Sequence, residues 1–319
     1  MFFLRCKTFY NDGFQKILFT ILCFLFSMNI CSAKGSAEIK SVDELQMYGV
    51  SSEADLGYGE NDPLFFGNPS DAVTDLKHKN NYLLEKKQFV VSYNAEKLIP
   101  NWVAWHLCSN DVGNSPRSKD FKSDDALPSQ IYAVTNRDFQ YSVYGFERGH
   151  MCPSSERTSS VQDNEATFLM TNMVPQSPDN NQGIWNYLEN YERSLASHGY
   201  ELYIFAGPWG KGGVSEKGYF EEIEVQTYGK SKKITVPSCT WKIIIAIREG
   251  ENDFDRIDEN TLVIAVIVPN KMGIPKRGGW QQYACSIDDI EKMTGMDFFE
   301  RLPDDIENKI EQKVYGKKK

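Results

Sequence analysis

Short runs rich in β-branched and aromatic residues recur along the chain and predict strands. Gln88-Phe89-Val90-Val91-Ser92-Tyr93 is one, Asn101-Trp102-Val103-Ala104-Trp105-His106-Leu107 a second, with Asn94 to Pro100 turning between them. Glu201 to Ala206 predicts a strand ending at Gly207-Pro208, and Ile234-Thr235-Val236 leads into another from Trp241 to Ile247. Leu262 to Val268 is apolar without alternation, the pattern of a strand buried on both faces. Ser, Asp, Asn and Pro crowd residues 109–128, which predicts a loop.

Two segments change period. Ile184, Leu188, Tyr191 and Leu195 are spaced by four, three and four, which puts them on one stripe of a helix over about 182–197. Asp179 to Asn181 are its capping candidates and Gly199 follows its end. Ser286 with Asp289 reads as a capping box for a short helix that stops at Gly295. Strands mixed with irregularly placed helices predict an α+β fold rather than a doubly wound sheet. The glycine-rich stretch Gly207 to Gly218 lacks the Gly-Lys-Ser/Thr ending of a phosphate loop and predicts a hairpin or surface loop.

The N-terminus follows a different logic. Arg5, Lys7 and Lys16 precede an apolar stretch, Ile17 to Met28, and small residues follow at Cys31-Ser32-Ala33. This is the layout of a secretory signal peptide over residues 1–33, and the apolar core is short of the ~20 residues of a stable membrane span. An uncleaved anchor is the alternative. Residues 34–60 are polar and aperiodic, a linker into a domain over 61–319. Export leaves Cys108, Cys152, Cys239 and Cys285, four thiols that can form two bridges in three pairings or stay as small buried hydrophobes. Cys152 and Cys239 are expected close enough to bridge. No Cys-x-x-Cys occurs, so a zinc ribbon has no support.

The chain of 319 residues carries a net charge of −9. Removing residues 1–33 takes away Arg5, Lys7, Lys16 and Asp12 and leaves 32 basic and 43 acidic residues, a net −11. That sign argues against static packaging of DNA, whose binding rests on phosphate neutralisation. It leaves room for an enzyme with a local cationic cleft.

The sharpest chemical feature is Phe146-Glu147-Arg148-Gly149-His150-Met151-Cys152-Pro153. It sets a cation two residues from a base, and phosphodiester cleavage needs both a proton acceptor and a counter-charge for the phosphate. Downstream, Asn181-Gln182-Gly183-Ile184-Trp185 is followed by Leu188-Glu189. On a uniform α-helix Asn181 and Glu189 would lie ~12 Å apart along the axis and ~80° around it, so Glu189 could reach back toward a site that Asn181 touches. An amide oxygen suits magnesium, which keeps most of its waters. By themselves these residues also read as a helix cap, Asn181, and an i+4 partner of Arg193, Glu189.

Together the two segments resemble the DNA/RNA non-specific endonucleases, the family that includes mitochondrial endonuclease G. Its Asp-Arg-Gly-His signature stands here as Glu147-Arg148-Gly149-His150, followed by Pro153, Asn181-Gln182-Gly183-Ile184-Trp185 and Leu188-Glu189. The similarity runs from about Asn101 to Asp305 and takes in Gly207-Pro208, Val236-Pro237-Ser238 and Trp241-Lys242. The resemblance implies a mixed α/β domain with a central antiparallel sheet and a ββα-metal finger. It implies that His150 activates the attacking water, that Asn181 ligates Mg2+ or another divalent cation such as Mn2+, that Glu189 holds a water of the ion, and that Arg148 sits near the phosphate. DNA and RNA are the implied substrates.

The sequence departs from the family at Glu147 and at Glu156, both expected to keep an aspartate's charge on a longer arm. The family's upstream phosphate-gripping arginine falls on Arg117 or Lys119, and the register is ambiguous. Two other readings stay open: an exported polyanion-binding protein that lost activity, and a phosphodiesterase of another substrate on the same fold.

Overall fold

The computed structural model describes residues 58–227, 230–275 and 279–317. The expected leader (1–33) and nearly all of the linker (34–60) lie outside the described residues. No helix among those described is long and apolar enough to cross a membrane.

The strands are β1 (Tyr82–Glu85), β2 (Val90–Asn94), β3 (Ile99–Leu107), β4 (Glu147–His150), β5 (Met173–Gln176), β6 (Tyr200–Trp209), β7 (Gly213–Ser215), β8 (Gly218–Phe220), β9 (Glu222–Thr227), β10 (Lys230–Thr235), β11 (Cys239–Arg248), β12 (Leu262–Pro269) and β13 (Ala284–Cys285). The helices are α1 (Tyr141–Tyr144), α2 (Val161–Ala166), α3 (Asn186–Ser197), α4 (Asp253–Arg256), α5 (Ile287–Thr294) and α6 (Asp304–Glu311). A seven-stranded antiparallel sheet in the order β1-β2-β3-β6-β11-β12-β13 forms the centre. The α+β expectation and the central antiparallel sheet are as predicted.

Each sheet face builds its own core. Odd-numbered β11 residues Trp241, Ile243 and Ile245 pack with Trp102, Phe205, Phe298 and Phe299 under α5 and α6. Even-numbered Ile244 and Ala246 pack with Trp105, Ile204 and the finger residues Met151, Val174 and Trp185 on the other face. Continuous apolar runs are therefore required in β11 and β12, since both of their sides are covered.

Two boundaries differ from expectation. Strand β6 continues through Gly207-Pro208 to Trp209. Beyond Ala206 it pairs with β11 alone, so Pro208 sits where the strand has become an edge. Gly207 is needed there because a Cβ would lie 2.4 Å from the Asn101 carbonyl oxygen and 2.6 Å from the Trp241 ring. The helix expected over 182–197 begins as a wide π-turn, Asn180–Trp185, and becomes α-helical only at Asn186. Uniform α geometry between Asn181 and Glu189 therefore does not apply. Helix α5 has the expected Ser286–Asp289 capping box and stops at Gly295 in the left-handed region. The glycine-rich stretch folds as the β7–β8 hairpin.

Cys108, Cys152, Cys239 and Cys285 are free thiols. The expected proximity of Cys152 and Cys239 fails for a geometric reason. Cys152 packs in the core on the finger face. Cys239 has the parity of Trp241, which points to the opposite face.

Candidate active site

Strands β4 and β5 pair antiparallel, with Gly149 opposite Val174 and His150 opposite Met173, and lead to α3. Local side-chain bonds fix this finger. Asn172 accepts from the Cys152 amide and donates to the Cys152 carbonyl, both at 2.9 Å. Trp185 Nε1 donates to the His150 carbonyl at 3.2 Å, which ties the head of the helix to the end of β4. Gly149 has no freedom to change, because a Cβ would meet the Gln176 side chain 1.6 Å away.

His150 ends β4 and is 8% exposed. Its ring stands edge-to-face on Phe168 at 4.8 Å, and its Nε2 has no hydrogen-bond partner. Burial, then Arg117 and Arg148, push its pKa from the ordinary histidine range to about 3. The imidazole is neutral at neutral pH and holds a free lone pair. Arg148 lies over the Phe121 ring at 4.4 Å, and Arg117 lies over Phe168 at 5.1 Å and donates to Ser154 Oγ. Two aromatic rings thus hold two guanidinium groups beside the base.

Asn181 Nδ2 donates to Glu147 Oε2 at 2.8 Å, and Gln182 Nε2 donates to the other carboxylate oxygen. A carboxylate can only accept, so it fixes the amide orientation and leaves Asn181 Oδ1 unused. Asn181 caps no helix, and the Asp179 carboxylate accepts from the Gly273 amide instead. The i+4 partner Arg193 acts on Glu189 through its charge, while its hydrogen bonds go to Ser155 Oγ at 2.6 Å and to Asn190 Oδ1 at 2.5 Å. Burial raises the Glu189 carboxyl to about 7, with Lys242 opposing and Glu192 adding to the rise.

Arg117, Arg148, His150, Asn181 and Glu189 line one cleft of about 430 Å³. Of the two candidates for the upstream position, Arg117 lines this cleft and Lys119 does not. The departures also part company. Glu147 keeps its charge role by orienting Asn181. Glu156 turns inward and is fully buried, and its Oε2 accepts from Trp105 Nε1 at 2.8 Å. Burial, with Glu192 adding repulsion and Lys242 opposing, holds it well above the usual carboxylate range.

Sequence reasoning missed the group beneath the cleft. Lys242, fully buried, donates to Glu192 at 2.9 and 3.1 Å and lies over the Trp185 ring at 4.5 Å and the Trp105 ring at 5.2 Å. The available signal was a lysine inside the apolar run Trp241 to Ile247, which demands a buried counter-charge.

The family model of the DNA/RNA non-specific endonucleases matches residues 67–305. The chain belongs to this family. It is an endonuclease, a hydrolase of nucleic acid phosphodiesters, and the family's nucleases depend on a metal. It is 43% identical over 251 residues to a nuclease of Nostoc, covering 79% of this chain and 85% of the relative. It is 33% identical over 239 residues to mouse mitochondrial nuclease EXOG, covering 74% of this chain and 60% of the mouse protein. In fold it matches a chain from a crystal structure of an EndoG/EndoGI complex with a TM-score of 0.59 at 23% identity, over 78% of this chain and 96% of that one.

Proposed function

We propose that this endonuclease is exported, requires magnesium and cleaves DNA and RNA with little sequence preference, using His150 as general base. The observation that carries the reading is the unpartnered His150 Nε2 in a cleft shared with Arg117, Arg148, Asn181 and Glu189. Water attacks phosphorus, its proton passes to His150 Nε2, the bond from phosphorus to the leaving sugar oxygen breaks, and that oxygen takes a proton from solvent water. Arg117 and Arg148 offset the phosphate charge, and guanidinium contacts to phosphate read no base. Asn181 Oδ1 would ligate the ion and Glu189 would hold its hydration shell, an oxygen donor set that suits magnesium. When bound, the ion acidifies water and stabilises charge on the phosphoryl oxygens, which suits a base as weak as His150.

The layout proposed for the chain is a leader over residues 1–33 that is removed on export, a linker over 34–60 and the nuclease domain over 61–319. N-terminal sequencing of protein recovered from outside the producing cell tests it. A mature chain that still begins at Met1 overturns it.

Cleavage is tested on supercoiled plasmid and on RNA, with magnesium and with EDTA. Both substrates are expected to be cut, and only with the ion. His150→Ala should lose about 10³-fold or more in rate and still bind nucleic acid. Retention of a tenth of wild-type cleavage at saturating magnesium would falsify the general-base role. Asn181→Ala should abolish cleavage and leave the metal-free Tm nearly unchanged, since its side chain caps no helix. A large fall in that Tm makes its role structural.

A further inference from the structure

At the far end of β3 a second constellation lies outside the hydrolytic cleft. His106 and Cys108 are two residues apart, so the strand period directs them alike, and Asp111 closes the turn that follows. One ligand atom from each of these three residues lies within 4.8 Å of the others. They line a cavity of about 360 Å³ together with Glu201, Glu249 and Arg157.

The tautomer of His106 is set from behind. Its Nε2 faces Glu201 Oε2 at 3.1 Å, and Glu201 is held in turn by Arg256 Nη2 at 2.7 Å and the Gly250 amide at 3.0 Å. A carboxylate can only accept, so Nε2 carries the proton and Nδ1 the lone pair. Metal-bound histidines are commonly oriented this way, by a carboxylate that accepts from the ring nitrogen facing away from the ion. Asp111 Oδ2 accepts from the Cys108 amide at 2.9 Å and stands 3.6 Å from Arg157, and the Cys108 thiol hydrogen-bonds to the Asp111 side chain. Arg157 is anchored on the carbonyls of Gln88, Glu156 and His106. Arg157, Lys87 and the Arg256 that pairs with Glu201 balance the charges of Asp111, Glu201 and Glu249 at this end, so the donor atoms and not a net charge argue for an ion.

We propose that His106 Nδ1, Cys108 Sγ and Asp111 bind a zinc ion, with water in the fourth position. Nitrogen, thiolate and carboxylate together match zinc and not magnesium, which takes oxygen donors. Zinc bonds of ~2.0–2.3 Å hold tetrahedral ligands about 3.5 Å apart, a small contraction of the present cluster. The spacing His-x-Cys-x-x-Asp is invisible to a search for paired cysteines because a strand and a turn, not a knuckle, bring the ligands together. The ion would brace the root of the loop that carries Arg117. Asp111 already joins that root to the finger segment, since its carbonyl accepts from the amides of Thr158 and Ser159, both at 3.0 Å.

The test uses purified chain stripped of metal and then held in excess magnesium. Cobalt(II) is the probe. One equivalent should give a thiolate-to-cobalt charge-transfer band, and zinc should displace it. Zinc at a hundredfold excess over its Kd should raise Tm by about 5 °C. Cys108→Ser should lose both the band and the Tm shift, and Cys239→Ser should keep both. Asp111→Asn should weaken zinc binding at least tenfold while the protein stays folded. A wild-type chain with no band, a band that survives Cys108→Ser, or unchanged zinc affinity in Asp111→Asn overturns the proposal.

Discussion

The two faces of the central sheet are built from the same strands and do different work. One face is closed mainly by apolar packing: Phe298 lies 5.4 Å from both Phe205 and Trp241, α5 and α6 cover them, and a paired polar cluster of His106, Glu201 and Arg256 sits at its end. The other face carries the finger, and under it lie ionisable groups with almost no access to water, Lys242, Glu192 and Glu156. Adjacent residues of β11 make the contrast, since Trp241 faces one core and Lys242 the other. The first face keeps its polar groups at its end and is apolar under α5 and α6. A face that orients charge has to bury polar groups and pair them.

Breaking each face separately sharpens that difference. Lys242→Met should cost about 3–5 kcal/mol in denaturant unfolding, because Glu192 is left buried without its cation. It should also shift the acid limb of cleavage to higher pH, since Lys242 holds the Glu189 pKa down. Phe298→Ala should cost about as much, ~3–5 kcal/mol, by leaving a cavity. Below its Tm, however, its kcat should stay at the wild-type value. If both variants lose activity and stability in parallel, the division between faces is wrong.

The pH profile separates two groups in the cleft. His150 is neutral well below its ordinary range, so no limb near ~6.5 belongs to it. Glu189, raised to about 7, must lose its proton to serve the ion. At limiting magnesium, cleavage should rise through pH ~7, and the midpoint should fall as magnesium increases, because ion and proton compete. A midpoint near 6.5 that ignores magnesium returns the limb to His150.

Stability without metal follows the opposite signs. The folded pKa of Glu189 is raised, so its contribution is full below the unfolded value of ~4.3 and is lost as pH rises through about 7. The folded pKa of His150 is depressed, so its contribution is present above ~6.5 and is lost as pH falls toward 3. The Tm of His150→Ala in EDTA should therefore fall less than that of wild type between pH 6.5 and 4.5.

The smallest effect is expected at the mouth of the cleft. Arg117→Ala should weaken binding to nucleic acid about tenfold and reduce the slope of log K against log salt by about 0.9, one phosphate contact. Lys119→Ala should leave both unchanged. Equal effects from the two variants would mean that the loop moves to present either cation.

Strands β2, β3, β6, β11 and β12 and helices α3 and α5 were legible because β-rich runs and 3.6-residue spacing are local properties of the chain, whereas the short finger strands β4 and β5 were not. Also legible were the candidate site residues that the structure brings into one cleft: His150, Arg148, Asn181 and Glu189 sit in short motifs whose order matches a known family. The π-turn at Asn180–Trp185 was not legible, because spacing alone does not distinguish it from an α-turn. The free cysteines followed from strand parity, which a sequence gives only once the faces are assigned. Glu156 turns into the core, where burial raises its carboxyl above the usual range, a property of what surrounds it. The choice between Arg117 and Lys119 depended on which one the loop turns toward Phe168. By itself, then, the sequence determined the elements, the family and the chemical groups. Tertiary structure alone decided which groups meet, which are charged and which cores they serve, because contact and desolvation act between residues far apart in the chain.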